Sequence, residues 1–169
     1  MGILYPLGHM LIADVTQSYP DTLPDVPLAE KDCIIIHHTA TAGRLNVAQL
    51  YAAHKQYGGI GYHAIVQPDG RAIMVGRWNT SRAGAAQTPW LNWRSYHVAL
   101  VGNFTTSAPP AVQLDTTRQL LAELQYARGA RLPIVPHCLF NVEEGTERAK
   151  FNTGCPGDTW VTWFGRLLE

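Results

Sequence analysis

The spacing of apolar positions changes repeatedly along the chain, and each change marks an element. Cys33-Ile34-Ile35-Ile36 is a β-branched run with no polar interruption, the pattern of a strand covered on both faces, which places it inside a sheet. From Asn46 to Gln56 the spacing switches to three and four at Val47, Leu50, Tyr51 and His54, and Gly58-Gly59 follows. This predicts a helix with one face on the sheet and a glycine stop. Tyr62–Gln67 and Ala72–Val75 flank Pro68-Asp69-Gly70, turn chemistry that predicts an antiparallel hairpin. Residues 77–94 carry Gly, Asn, Ser and Trp without a period and read as a long surface loop of the kind that holds binding residues. Ser95–Phe104 predicts a strand ended by Gly102-Asn103. Pro109-Pro110 breaks the chain before a helix from Asp115 to Arg128, with Leu120, Leu121 and Leu124 inward and Gly129 as its stop. Ile134-Val135 reads as a short strand leading into Pro136-His137. The last helix is predicted to start at Asp158 as N-cap, with Trp160, Trp163, Phe164, Leu167 and Leu168 on one stripe.

The first 30 residues, with Pro6, Pro20, Pro24 and Pro27, hold no sustained period and predict an extended arm with one short strand around Met10–Val15. The resulting order, β-α-β-β-β-α-β-α without an internal repeat, predicts an α/β fold: a mixed central β-sheet flanked by helices in three layers. A length of 169 residues suits one core. The reading is therefore a single domain over residues 31–169, on which an N-terminal extension of residues 1–30 packs.

Hydrophobic residues make up 46% and charged residues 15%, a composition outside the disordered class. No window approaches the roughly 18 consecutive apolar residues of a membrane helix, so an integral membrane protein is not expected. Met1–Met10 lacks the basic and apolar regions of a secretory signal, which predicts a chain made in the cytoplasm that reaches its site of action by another route. Lysine plus arginine equals aspartate plus glutamate at 13 each, which argues against a nucleic-acid partner. The charge is unevenly placed: residues 1–32 hold one base against five acids, residues 33–131 nine against three, and residues 132–169 three against five. The basic middle is either a solvated face or a groove for an anionic polymer such as a cell-wall glycopeptide. Three cysteines, an odd count in a chain of this length, point to metal binding or burial rather than a disulfide framework.

Seven histidines direct attention to metal or histidine-assisted chemistry. His37 and His38 end the buried strand, and because successive strand side chains point to opposite faces, only one of them can serve a given site. His137, just past a short strand, and Cys155, just before the last helix, are loop residues at element ends, where rigid elements aim side chains at a common point. One thiolate and two imidazoles fill three positions of a tetrahedral Zn²⁺ and leave the fourth open, the arrangement of a catalytic zinc site. Cys155 as a small buried hydrophobe, or as half of a metal-free Cys–His nucleophile pair, remains an alternative.

Five segments, His37-His38-Thr39-Ala40, Gly61-Tyr62-His63 with Pro68-Asp69-Gly70, Leu100-Val101-Gly102-Asn103-Phe104, Pro136-His137 and Thr153-Gly154-Cys155-Pro156-Gly157, resemble, in order, the motifs of zinc-dependent N-acetylmuramoyl-L-alanine amidases. That family includes small phage endolysins and the peptidoglycan recognition proteins, and the resemblance runs from about Ile34 to Leu168. It implies Zn²⁺ held by His37, His137 and Cys155, a catalytic Tyr62, and Thr153 at a position that is lysine or threonine among relatives. It implies that His38 and His63 face away from the metal and that His54 packs. The implied activity is hydrolysis of the amide between N-acetylmuramic acid and L-alanine in peptidoglycan; the short chain and the lack of a signal pattern add the expectation of a lytic, endolysin-type amidase acting on the cell wall, and a monomer is expected. The alternative is a peptidoglycan-binding module without turnover. Three departures stand out. The 17 residues 138–154 make a long connection between two ligands, with Cys138 beside one of them as an alternative ligand. Ala99 occupies a place where some relatives carry a catalytic glutamate, and Arg82, in Arg82-Ala83-Gly84, replaces a loop histidine. In that loop Trp78 and Arg82 are read as substrate contacts, a tryptophan face suiting a sugar ring and arginine a carboxylate, while Trp90 and Trp93 are expected to roof the core.

Overall fold

The computed structural model describes residues 3–7, 10–82, 84, 89–143 and 145–169. Seven strands, β1 (Ile3–Leu7), β2 (Met10–Asp14), β3 (Cys33–His38), β4 (Ala64–Val66), β5 (Ala72–Met74), β6 (Ser95–Leu100) and β7 (Ile134–Pro136), form one sheet in the order β1-β2-β5-β4-β6-β3-β7. The β1–β2 and β4–β5 pairs are antiparallel and the other four are parallel, so the sheet is mixed, as the element order predicts. Helices α1 (Val47–His54), α2 (Pro89–Arg94), α3 (Ala111–Arg128) and α4 (Trp160–Trp163) cover it.

Strand alternation sorts the core. On one face Ile34, Ile36, Tyr96, Val98 and Leu100 meet Leu114, Leu120, Leu121 and Leu124 of α3 and Trp163 of α4. On the other, Leu50 of α1 packs on Ile65, Ala99 and Val101, and Leu91 of α2 packs on Ile35. The apolar run at Cys33–Ile36 is thus buried on both faces and hydrogen-bonded on both edges, by β6 and β7. The predicted hairpin forms around Gly70, whose φ of +83° suits a residue without Cβ.

Several elements differ from the expectation. The arm contributes two strands, because β2 pairs with β5 and carries β1 on its outer edge. Residues 89–94, read as part of the long loop, form α2. Helix α3 starts at Ala111, immediately after Pro110, rather than at Asp115. The last helix is one α turn capped at Thr159 that tightens into a 3₁₀ turn over Phe164–Leu167. The three-residue period of that turn keeps Leu167 inward and swings Leu168 out to 54% exposure. Lys31, fully buried, donates its three ammonium protons to the carbonyls of Thr80 (2.7 Å), Trp93 (2.8 Å) and Ser95 (3.1 Å) and so ties the residue that follows the arm to the loop, to α2 and to the start of β6. Among the described residues no helix is long and apolar enough to cross a membrane.

Candidate metal centre

Two parallel strands bring the first pair of ligands together. The register sets Ile36 beside Pro136, so the next residues, His37 and His137, emerge side by side at the sheet's end, their ring centroids 4.6 Å apart. His37 faces opposite to Ile36 and lies on the side of Ile35, as alternation requires. Cys155 arrives from the far side of the long 138–154 connection. That connection closes on itself: Asn141 Nδ2 donates to the Thr153 carbonyl and Asn141 Oδ1 accepts from Thr153 N–H, both at 2.9 Å. Asn152 makes the same double bond with Val142, at 2.8 and 2.9 Å. With both ends clamped, Cys138 N–H donates to the Cys155 carbonyl at 2.7 Å, and 17 intervening residues leave the two ligands adjacent.

Gly157 makes the last approach possible. Its φ is +103°, and a Cβ there would stand 2.4 Å from the carbonyl carbon of Phe104, so only glycine lets this loop lie on the segment after β6. Thr159 then donates through its backbone N–H (3.2 Å) and hydroxyl (2.7 Å) to the Phe104 carbonyl.

The resulting cluster is small and buried. One ligand atom from each of His37, His137 and Cys155 lies within 4.8 Å of the others, and Cys155 Sγ is 3.6 Å from His37 Nδ1. Two donors held at Zn–S and Zn–N bond lengths by a tetrahedral ion stand about 3.6 Å apart, so the spacing of this pair already matches the group. Burial pushes the His37 imidazole well below its ordinary value, with the neighbouring His137, His97 and His38 adding to the effect, and it lowers His137 to about 4. Both rings are therefore neutral at physiological pH, the form that coordinates a metal. Burial raises the Cys155 thiol to about 12, opposed by the His38 backbone N–H at 3.3 Å from the sulfur. A thiol in that state becomes a thiolate only against a strong positive charge, which a divalent ion supplies. The raised value argues against a metal-free nucleophile.

Around the cluster, the Tyr62 ring lies 5.3 Å from that of His37, and burial, then the Cys155 sulfur, raise its phenol. Thr153 Oγ accepts the Cys155 N–H at 3.1 Å. A cleft of about 250 Å³ opens beside Cys155, lined also by His38, Asn103, Thr105, Thr153 and Asp158. His38 points to that side, its Nδ1 accepting from Phe104 N–H at 3.3 Å. His63 is buried away from the metal cluster, and His54 accepts the Gly61 N–H at 3.1 Å. Ala99 is buried directly beside His37 in the ladder.

The loop readings need correction. Arg82 is 0% exposed; its guanidinium donates to Asp21 at 2.6 Å and to the Ile60 carbonyl at 3.2 Å. It ties the arm to the loop and is closed off from a ligand in solvent. Trp78 packs on the α3-side core, stacked on His63 and edge-on to Tyr96. It borders a larger cavity of about 940 Å³, shared with Asp14, Asp25 and Leu28 of the arm and with none of the three ligands. Trp90, expected to roof the core, is 60% exposed beneath Arg94, and Trp93 donates to Glu30 at 2.6 Å. Ala83 lies outside the described residues. One buried residue that the reading of the sequence passes over, His97, contacts His37 at 3.0 Å. The parity of β6 points to it, since residues 97 and 99 share the face of His37.

Comparison with known proteins agrees with this geometry. The chain is 32% identical over 181 residues to a peptidoglycan-recognition protein of Drosophila melanogaster, covering 96% of this chain and 90% of that protein. Among solved structures it resembles the endolysin N-acetylmuramoyl-L-alanine amidase LysCS of Clostridium intestinale, with a TM-score of 0.69, 24% identity and 86% of each chain covered. It also resembles peptidoglycan recognition protein LE in complex with tracheal cytotoxin, with a TM-score of 0.70, 22% identity, and 90% and 93% of the chains covered. The model of the N-acetylmuramoyl-L-alanine amidase family matches residues 28–158, a span that includes His37, His137 and Cys155, and the chain belongs to that family.

Proposed function

We propose that this chain is a zinc-dependent hydrolase that cuts the amide between N-acetylmuramic acid and L-alanine in peptidoglycan, in the manner of a lytic endolysin. The observation that carries the proposal is the convergence of His37, His137 and Cys155 within 4.8 Å beside an open cleft. Three protein donors leave a fourth position for water or substrate. The chemistry that zinc supplies when bound by such a set is water activated at neutral pH and a polarised carbonyl oxygen.

The chain's own residues supply the rest. Tyr62 keeps its proton because its phenol is raised by burial, and it donates that proton's hydrogen bond to the oxygen that gains charge as the amide is attacked. One well-placed donor of this kind contributes about 3–4 kcal/mol. Thr153 accepts the Cys155 N–H, which leaves its hydroxyl proton to orient water or substrate in the cleft. His38 holds the sulfur through its backbone N–H and lines the cleft with its ring.

Ala99 favours a second reading. Without a carboxylate at this place in the ladder, the chain has one fewer proton acceptor, and a recognition module that binds muropeptide without turnover fits the same cleft. Digestion of purified peptidoglycan separates the two. Release of free alanine amino termini without new reducing ends, abolished by a chelator and restored by zinc, supports the amidase. Retained binding with no release supports the module, and new reducing ends overturn both.

A further inference from the structure

The residue that contacts His37 from behind belongs to no feature of the mechanism so far. His97 Nδ1 lies 3.0 Å from His37 Nε2, and both rings are closed to solvent. On the other edge of the His37 ring, Nδ1 is the atom that faces Cys155. A neutral imidazole that gives the lone pair of Nδ1 to a metal must carry its proton on Nε2, and His97 Nδ1 is the acceptor for that proton. We propose that His97 is a positioning residue that selects the metal-competent tautomer of His37 and sets the plane of its ring. The inference rests on the reading of His37, His137 and Cys155 as a metal site.

The surroundings of His97 hold its ring in place behind His37. Its backbone N–H donates to His63 Nδ1 at 3.0 Å, and its carbonyl accepts from His63 N–H at 2.9 Å. His63 Nδ1 is thereby an acceptor, so its own proton sits on Nε2 and reaches the Thr80 carbonyl at 2.9 Å. The two rings stack with centroids 5.9 Å apart and planes 5° from parallel. Gly84 leaves the room: a Cβ there would stand 2.8 Å from His97 Nδ1. Fixed hydrogen bonds therefore run from the Thr80 carbonyl through His63 to the His97 backbone, and the His97 ring they seat meets the back of the candidate ligand. Packing alone requires a flat ring at position 97 but no nitrogen aimed at His37. Without the acceptor, the His37 Nε2–H is left buried and unpaired, and the ring gains by moving its proton to Nδ1, where it blocks coordination.

The test uses the full chain, stripped of metal and titrated with zinc against a competing chelator. His97→Leu removes the acceptor at similar volume and is expected to weaken zinc binding about 10- to 100-fold. His97→Asn places a carbonyl oxygen near the lost Nδ1 and is expected to restore most of that loss. A folded His97→Leu protein that binds zinc as tightly as the wild type overturns the inference, as does an Asn variant no better than Leu. The tautomer of His37, read by nitrogen NMR in the zinc-loaded wild type, needs no variant: a proton on Nε2 supports the inference and a proton on Nδ1 overturns it. A wild-type chain that takes up no zinc overturns the metal reading itself, a result distinct from each of these.

Discussion

The candidate metal centre has two halves held by different forces. His37 grows from β3, which is hydrogen-bonded on both edges and carries the wholly buried Ile35 and Ile36. Cys155 and Thr153 lie outside any strand or α-helix, positioned by two asparagine clamps, one backbone hydrogen bond to Cys138 and the close seat of Gly157 on Phe104. His137 joins the halves, its backbone continuing the β3–β7 register and its neighbour Cys138 meeting the Cys155 loop. In the strand half, position is shared among many ladder bonds and apolar contacts, so no single polar group decides it. In the loop half, among the described residues, a few polar contacts set the position. The loop half is therefore where one substitution loses the site while the protein stays folded.

The most severe way to test this comparison is to delete a ligand from each half. His37→Ala and Cys155→Ala should each lose metal and cost about 4 kcal/mol of transition-state stabilisation, roughly 10³-fold in turnover, measured as alanine amino termini released from peptidoglycan alongside metal content. Cys155→Ala should melt as the metal-free wild type does. A Cys155→Ala protein that keeps its metal removes the loop half from the site. Next in size, Tyr62→Phe should retain metal and lower turnover about 10²- to 10³-fold, the loss of one oxyanion donor. Unchanged turnover would return Tyr62 to a packing role.

Acid should act mainly on the strand half. Burial holds His37, His63 and His97 well below the ordinary imidazole value and lowers His137 from 6.5 to about 4. The unfolded chain then binds protons near pH 6.5 that the folded, metal-free chain refuses. The stability of the metal-free chain is accordingly full above about pH 6.5 and falls as pH drops toward 4, with His137 alone accounting for about 2–3 kcal/mol at the lower limit. Urea midpoints of the chelated protein at pH 7.5, 6 and 5 should fall in that order. A flat series would mean that the rings ionise within the fold.

The same contrast decides what can be read from the sequence. The strand half is legible because a β-branched run buried on both faces leaves its mark within four residues, Cys33–Ile36. The hairpin is equally legible, since Pro68-Asp69-Gly70 states its own turn. The three ligands are separated by 100 and 18 positions, and no local rule unites them; they come into view through the order of motifs. Arg82 misleads because a charged residue in a polar loop reads as exposed, and its burial depends on Asp21, 61 residues away. Strand β2 falls where Met10–Val15 reads as a short strand, whereas β1, an edge strand with Pro6 inside it, escapes notice because it shows no period of its own. Helix α2 has only six residues, too few for a helical period to stand out from the Gly and Asn residues before it.

Gly157→Ala sharpens the comparison from the loop side. A methyl group 2.4 Å from the Phe104 backbone, at a φ of +103°, should destabilise the fold by about 2 kcal/mol. More tellingly, it should weaken zinc binding, because the Phe104 contact seats the loop that carries Cys155. Gly129→Ala is the control: its φ is +67° but nothing stands within 4 Å, so it should cost about 1 kcal/mol with zinc affinity unchanged. Equal zinc affinity in both variants would show that the loop finds its place without the contact.

The smallest effect expected is also the most specific to this chain. Asn152→Ala removes two hydrogen bonds to Val142, at 2.8 and 2.9 Å, from a half-buried site, while the Asn141–Thr153 pair next to it remains. With one of two clamps intact, the loss of stability should be about 1 kcal/mol. The 138–154 connection should then open locally more often than the sheet does. Amide hydrogen exchange reads this directly: Val142 and Thr153 should exchange faster while Ile35 and Ile36 keep their protection. If the strand amides lose protection to the same degree, the two halves unfold as one unit, and the division drawn between ladder and loop fails.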